Sequence, residues 1–147
     1  MSGEAIILRG TTRVLEANGA AIANNAVGMA DDATYSIFDH GGGYRDAKFV
    51  LSFYFYSTPV EGSELALFAQ PLDIVGTADA EVPEMARPTV DLGSFIVNDV
   101  VTSQNAELLV ENVPWNARYW IGNRGTGQTL IAGWSLCVTP YTDAPAP

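Results

Sequence analysis

Apolar and polar residues alternate in short runs along most of the chain, with a period of two rather than the 3.6 of a helix. The strongest run is Ala47 to Thr58 (AKFVLSFYFYST). It sets Phe49, Leu51, Phe53 and Phe55 on one face and Val50, Ser52, Tyr54 and Tyr56 on the other. Four large apolar side chains on one face need a wide surface to pack on, so this strand is expected at the centre of a sheet. Shorter strand-like runs are Ala5 to Arg9 and Thr11 to Glu16, separated by Gly10. Glu64 to Pro71 follows a turn over Pro59 to Ser63, with Leu65, Leu67 and Ala69 pointing inward. Ser94 to Val101, Glu107 to Val113, Ala117 to Gly122 and Gly133 to Thr139 complete the set. The last two flank Asn123-Arg124-Gly125-Thr126-Gly127-Gln128, whose glycines suit a tight turn. Ala117 to Thr139 therefore reads as a β-hairpin, with Trp134, Leu136 and Val138 on one face and Cys137 on the other.

The remaining segments join these strands. Ala17 to Ala33 is alanine-rich but interrupted by asparagine and glycine, and reads equally as a weak helix or a loosely packed connector. Gly76 to Gly93 holds Pro83 and Pro88 and reads as a long loop. Short strands joined by Gly/Pro-rich loops predict an all-β fold, a β-sandwich with jelly-roll topology, an open barrel being the alternative. The chain is expected to be one domain over residues 1–147, with flexible arms at 1–5 and 142–147 that reach neighbouring subunits.

Composition narrows the function. A chain of 147 residues fits one domain able to bury about 70% of the surface it exposes when unfolded. Charged residues make up only 16% and hydrophobic ones 48%, which argues against disorder and a coiled coil. Seventeen acidic and seven basic residues give a formal charge of -10. That balance offers no basic footprint for nucleic acid and is repelled by an anionic membrane. No apolar run is long enough to span a bilayer as a helix, and Met1 to Ala5 lacks the pattern of a signal peptide, so folding in a cytoplasm is expected.

Catalytic constellations are poorly supplied. The string His40-Gly41-Gly42-Gly43 matches an esterase oxyanion-hole motif, but no G-x-S-x-G elbow exists and His40 is the only histidine. Asp31, Asp32, Asp39 and Asp46 lack the alternating spacing of a calcium loop. One cysteine and one histidine cannot build a zinc site of the usual kind. No carboxylate pair is singled out for glycosidase chemistry. Gly125-Thr126-Gly127 lacks the following G-K-[ST] of a phosphate loop. Trp115, Tyr119 and Trp120 offer an aromatic platform for sugar, although alternation sends Tyr119 and Trp120 to opposite faces and argues for a core role. No enzyme activity, metal or cofactor is expected.

Features of an interaction surface are better represented. Six arginines stand against the single Lys48, the bias of protein interfaces. One sandwich core covers only one face of the Ala47 to Thr58 strand, so the face with Val50, Tyr54 and Tyr56 calls for a partner.

The C-terminal third carries a distinctive order: Gly93-Ser94-Phe95-Ile96-Val97, Glu107-Leu108, Val113-Pro114, Tyr119-Trp120-Ile121-Gly122-Asn123, Gly125-Thr126-Gly127-Gln128-Thr129-Leu130, then Ala132-Gly133-Trp134-Ser135-Leu136-Cys137-Val138-Thr139-Pro140. With Arg9-Gly10-Thr11-Thr12, this resembles small virion proteins of tailed bacteriophages, of the head-decoration or capsid-cement type. The resemblance spans about half the chain and rests on structural positions, not catalytic ones. It implies an all-β subunit without cofactor that binds the major capsid protein on the outer capsid surface and reinforces the head. A homo-oligomer, with a trimer suggested by capsid three-fold positions, is expected. Arg9, Arg13, Tyr44, Arg45, Arg87 and Arg124 are the candidate contacts. The alternative is a tail or adhesion module that binds host-surface glycans through exposed aromatics.

Overall fold

The computed structural model describes residues 5–33, 35–36, 44–72, 79–114 and 116–145. Among the described residues ten strands follow one another: β1 (Ala5–Arg9), β2 (Arg13–Glu16), β3 (Val27–Met29), β4 (Tyr35–Ser36), β5 (Asp46–Phe53), β6 (Glu64–Pro71), β7 (Val90–Ile96), β8 (Gln104–Val110), β9 (Asn116–Arg124) and β10 (Ser135–Pro145). No helix occurs among the described residues. The strands form two antiparallel sheets, so the chain is an all-β sandwich.

Each sheet is four strands wide. In the first, β1 and β2 lie end to end along one side of β10, followed by β5 and β8. In the second, β3 and β4 lie end to end along β9, followed by β6 and β7. The break between β1 and β2 falls at Gly10, whose N–H donates to Pro140 O at 2.8 Å. A Cβ there would sit 2.6 Å from Pro140 Cγ, so only glycine lets the two strands approach this closely.

The alternation read in the sequence sets the core. Phe49, Leu51, Phe53 and Phe55 are all buried, and β5 is central, between β10 and β8. Beside them in the same sheet stand Leu136 and Val138 of β10, and across the interior they meet Leu65, Leu67 and Ala69 of β6, Phe95 of β7, and Tyr119 and Ile121 of β9. The Phe49 and Tyr119 rings lie 5.0 Å apart between the sheets.

Four sequence expectations are corrected. Ala117 to Thr139 is not a hairpin: β9 belongs to the second sheet and β10 to the first. Both strands carry inward-facing apolar residues, and these meet across the core instead of side by side. The Ala47 strand ends at Phe53, where its partners run out at Gln104 and Ser135; Phe55 stays buried beyond the strand. Ala17 to Ala33 forms neither helix nor free connector, because Ile22 bridges Leu130 and Val27–Met29 pairs with β9. Thr142 to Pro145, expected in a free arm, are strand residues paired with Ala5 to Leu8. Residues 1–4 and 146–147 lie outside the described residues.

The stretch expected as a long loop is partly strand and partly cover. Val90 to Gly93 belong to β7, with a bulge opposite Leu67 and Phe68 that Gly93 accommodates at φ 129°. Residues 79–89 lie over the outer face of the second sheet. Gln70 Nε2 donates to Ala80 O at 3.0 Å, and Thr89 Oγ1 donates to Glu81 O at 2.9 Å. Pro83 is buried, and Met85 reaches to the Phe68–Gly122 contact. This strap is why Ala66, Phe68 and Gln70 are buried as well as Leu65, Leu67 and Ala69, leaving β6 covered on both faces.

Candidate functional site

The outer face of the first sheet has no comparable cover among the described residues. Strand register arranges its outward side chains in rows across the sheet. One row is Val14, Cys137, Val50 and Glu107. The next is Thr139, Lys48 and Leu109, with Thr12 joined to Thr139 by a 2.7 Å hydroxyl–hydroxyl hydrogen bond. A third is Arg9, Tyr141 and Asp46. Short side chains keep the middle of this face flat. Leu109 is 64% and Val14 48% exposed, although both sit in strands. A shallow groove of about 330 Å³ crosses the strands, lined by Arg9, Gly10, Thr12, Lys48, Leu109, Thr139 and Tyr141. Lys48 Nζ lies 3.7 Å from Glu107 Oε1 on the same face.

A second bare surface lies at one end of the sandwich, where strand directions gather the loops over 17–26, 54–63, 97–103 and 125–134. Of the eight exposed large apolar residues among those described, five cluster here: Tyr56, Val60, Ile96, Val100 and Val101. These loops are held rigidly. Val60 N donates to Thr126 O at 3.0 Å, and Gly62 N donates to Val97 O at 3.1 Å. Buried Gln104 accepts from Asn98 N at 2.9 Å and donates to Asn98 O at 3.0 Å. Tyr54 and Tyr56 stand edge to face, 5.6 Å between rings. Their hydrogen bond is the first cause that raises the Tyr54 hydroxyl above its ordinary pKa.

The residues that carry the phage resemblance hold this end together. Trp134 is buried against Gly19, where any Cβ would fall 2.0 Å from the indole, and its Nε1 donates to Ala20 O at 2.8 Å. Asn123, fully buried, donates through Nδ2 to Ile22 O at 3.0 Å and Gln128 O at 2.8 Å, while the Thr126 hydroxyl donates to its Oδ1. Gly125 and Gly127 take φ of 68° and 74°, and their N–H groups donate to Asn25 and Asn24 side chains. The buried polar groups of this string are engaged within the protein, which is a structural role and not that of a phosphate loop.

The six candidate contacts divide. Arg9 lines the groove, and Tyr44 beside it donates to Arg9 O at 3.4 Å. Arg13 follows in β2, paired with Val138, and exposed Arg45 immediately precedes β5. Arg87 lies in the 79–89 strap and Arg124 in β9, and each pairs with carboxylates of its own chain. Arg87 pairs with Glu84 at 3.2 Å within the strap. Arg124 reaches Glu64 at 3.5 Å and Asp91 at 3.2 Å and lies 5.6 Å over the Phe68 ring. The aromatic platform does not form from Tyr119, which is buried; Trp120 is half-buried and donates through Nε1 to Gln70 Oε1 at 3.1 Å. Trp115 and the Asp39 to Gly43 string lie outside the described residues.

Sequence reasoning missed one acidic group. Asp31 and Asp32 meet Glu16, with carboxylate oxygens within 4.8 Å of one another, the spacing a cation would require. Glu16 is buried, and its oxygens already accept long hydrogen bonds from Asp31 N at 3.4 Å and Asn18 N at 3.5 Å. Burial, then hydrogen bonding to the Asp31 and Asp32 carboxyls, pushes its pKa from 4.5 up to about 7. The cluster can thus hold a proton near neutrality. Residues 15 positions apart in sequence gave no local signal for it.

Among the described residues no helix is long and apolar enough to cross a membrane. No family model matches the chain, and none of the curated proteins matches it either.

Proposed function

We propose that this chain is a structural protein of a phage virion that binds the outer capsid surface and stabilises the head through multivalent contacts with the major capsid protein. It works as a homo-oligomer, without catalysis or cofactor. The observation that carries this reading is the pair of separate bare surfaces on one rigid sandwich: the uncovered sheet face and the apolar end. Cross-linking a lattice requires each copy to hold at least two neighbours, and avidity then supplies what one contact lacks. A charge of -10 keeps free copies dispersed and suits a position outside the DNA-filled interior.

The nesting of strands supports the finer jelly-roll reading. Taking β1/β2 and β3/β4 each as one broken strand, the first pairs with the last, the second with the seventh, the third with the sixth and the fourth with the fifth. That nested antiparallel order is the one expected of two Greek keys in eight strands.

The test is co-sedimentation of the purified chain with capsids of the encoding phage that lack it. Wild type is expected to sediment with them. Val60→Asp and Val100→Asp, both at exposed positions, are each expected to weaken binding about tenfold, since removing an apolar side chain from an interface and leaving a charge there costs about 1.5 kcal/mol or more. Absence of wild-type binding, with the protein folded, contradicts the proposal.

A further inference from the structure

The charges on the two bare surfaces differ in a way that separates their roles. The three outward rows described above carry Arg9 and Lys48 against Asp46 and Glu107, so the charges of these rows balance in a chain whose formal charge is -10. The surplus negative charge therefore lies elsewhere. These rows let two copies meet without a net charge on either side, and they offer both signs of charge. An isologous contact places a surface against its own copy, so it needs both signs within one patch. The Lys48–Glu107 pair, in neighbouring strands and beside exposed Leu109, meets that need.

The projected area of the face comes close to what a stable contact needs. Four strands about 4.8 Å apart and eight residues of β5 at about 3.3 Å each give about 500 Å² in projection, before side-chain relief is counted. Stable interfaces start at about 600 Å² of accessible surface per partner. The apolar centre made by Val14, Cys137 and Val50 is ringed by Ser52, Thr139, Lys48 and Glu107, the core-and-rim pattern of a protein contact.

We infer that the outer face of the β1/β2–β10–β5–β8 sheet is the site where a second copy of this chain packs, face to face about a two-fold axis, which leaves the apolar ends of both copies free. The role given to those ends rests on the capsid reading; the pairing does not. A two-fold pairing replaces the trimer expected from the sequence.

Sedimentation equilibrium of the purified chain under reducing conditions, at physiological salt, tests this. Wild type is expected at about twice 15.7 kDa. Leu109→Glu and Val14→Glu, at exposed positions that leave the core intact, are expected to raise the dimer dissociation constant at least tenfold each while the far-ultraviolet circular dichroism of the folded chain stays unchanged. Val60→Glu, at the apolar end, is expected to leave it unchanged. A monomeric or trimeric wild type, dimers indifferent to both face substitutions, or equal dissociation by Val60→Glu would overturn the inference. A chain that pairs but does not bind capsids overturns the capsid reading alone, and a monomer that binds them overturns the pairing alone.

Discussion

Replacing Glu16 by glutamine isolates a proton that the fold holds. In the unfolded chain this carboxyl titrates near 4.5, and in the folded protein near 7. Between those values the native state keeps a proton that the unfolded state releases. The native state is therefore favoured at low pH, and its stability falls as pH rises through the window. Below about pH 4.5 the contribution is complete; above about pH 7 it is lost. A tenfold difference in proton affinity between the two states is worth about 1.4 kcal/mol, so the whole window amounts to at most about 3.5 kcal/mol. Exposed Asp31 and Asp32 let solvent screen the cluster, which lowers the expected effect to about 1–3 kcal/mol. Glu16→Gln keeps the shape and the acceptor oxygen and removes the ionisation. It is expected to lie close to wild type at pH 5, where only the first part of the contribution is lost, and to exceed it by about 1–3 kcal/mol at pH 8. Urea unfolding, followed by tryptophan fluorescence at pH 5, 6, 7 and 8, measures the difference between the two proteins and cancels the titration of carboxylates outside this cluster. Parallel stability curves, or a glutamine variant weaker than wild type at pH 8, would refute the reasoning.

Other outcomes follow from packing. Gly19→Ala places a Cβ within 2.0–2.4 Å of the Trp134 ring and is expected to destabilise by about 3 kcal/mol, measured by thermal unfolding. Phe68→Ala removes the side chain on which the strap and Arg124 rest; a loss of about 3–5 kcal/mol and faster limited proteolysis within residues 79–89 are expected. Arg124→Met breaks two half-exposed ion pairs and is expected to cost about 1 kcal/mol or less, with the effect shrinking at high salt.

Much of the fold is legible in the sequence because alternation reports which face a residue takes. It assigns Phe49, Leu51, Phe53 and Phe55 to the core, where they lie, and Glu64 to Pro71 matches β6 residue for residue. Alternation does not report which strand lies alongside. Ala117 to Gly122 and Gly133 to Thr139 look like hairpin partners because a glycine-rich link joins them, yet facing across the core satisfies the same pattern. Proline hides the strap: Pro83 and Pro88 rightly exclude an internal strand, but nothing local shows that this loop buries Phe68. Among the candidate contacts, Arg124 is ion-paired with Asp91 and Glu64, and charge composition carries no signal of partners 33 and 60 residues away. The apolar end is obscured because Ser94 to Val101 reads as one strand, whereas the chain leaves the sheet after Ile96 and exposes Val100 and Val101.

The most direct measurement is cryo-electron microscopy of the particles in which the proposed function places this chain. Density for the two-sheet subunit is expected on the outside of the capsid lattice, with the end formed by Tyr56, Val60, Val100 and Val101 seated on the major capsid protein. Density for it at the tail tip, inside the head, or nowhere in the particle would contradict the proposed function.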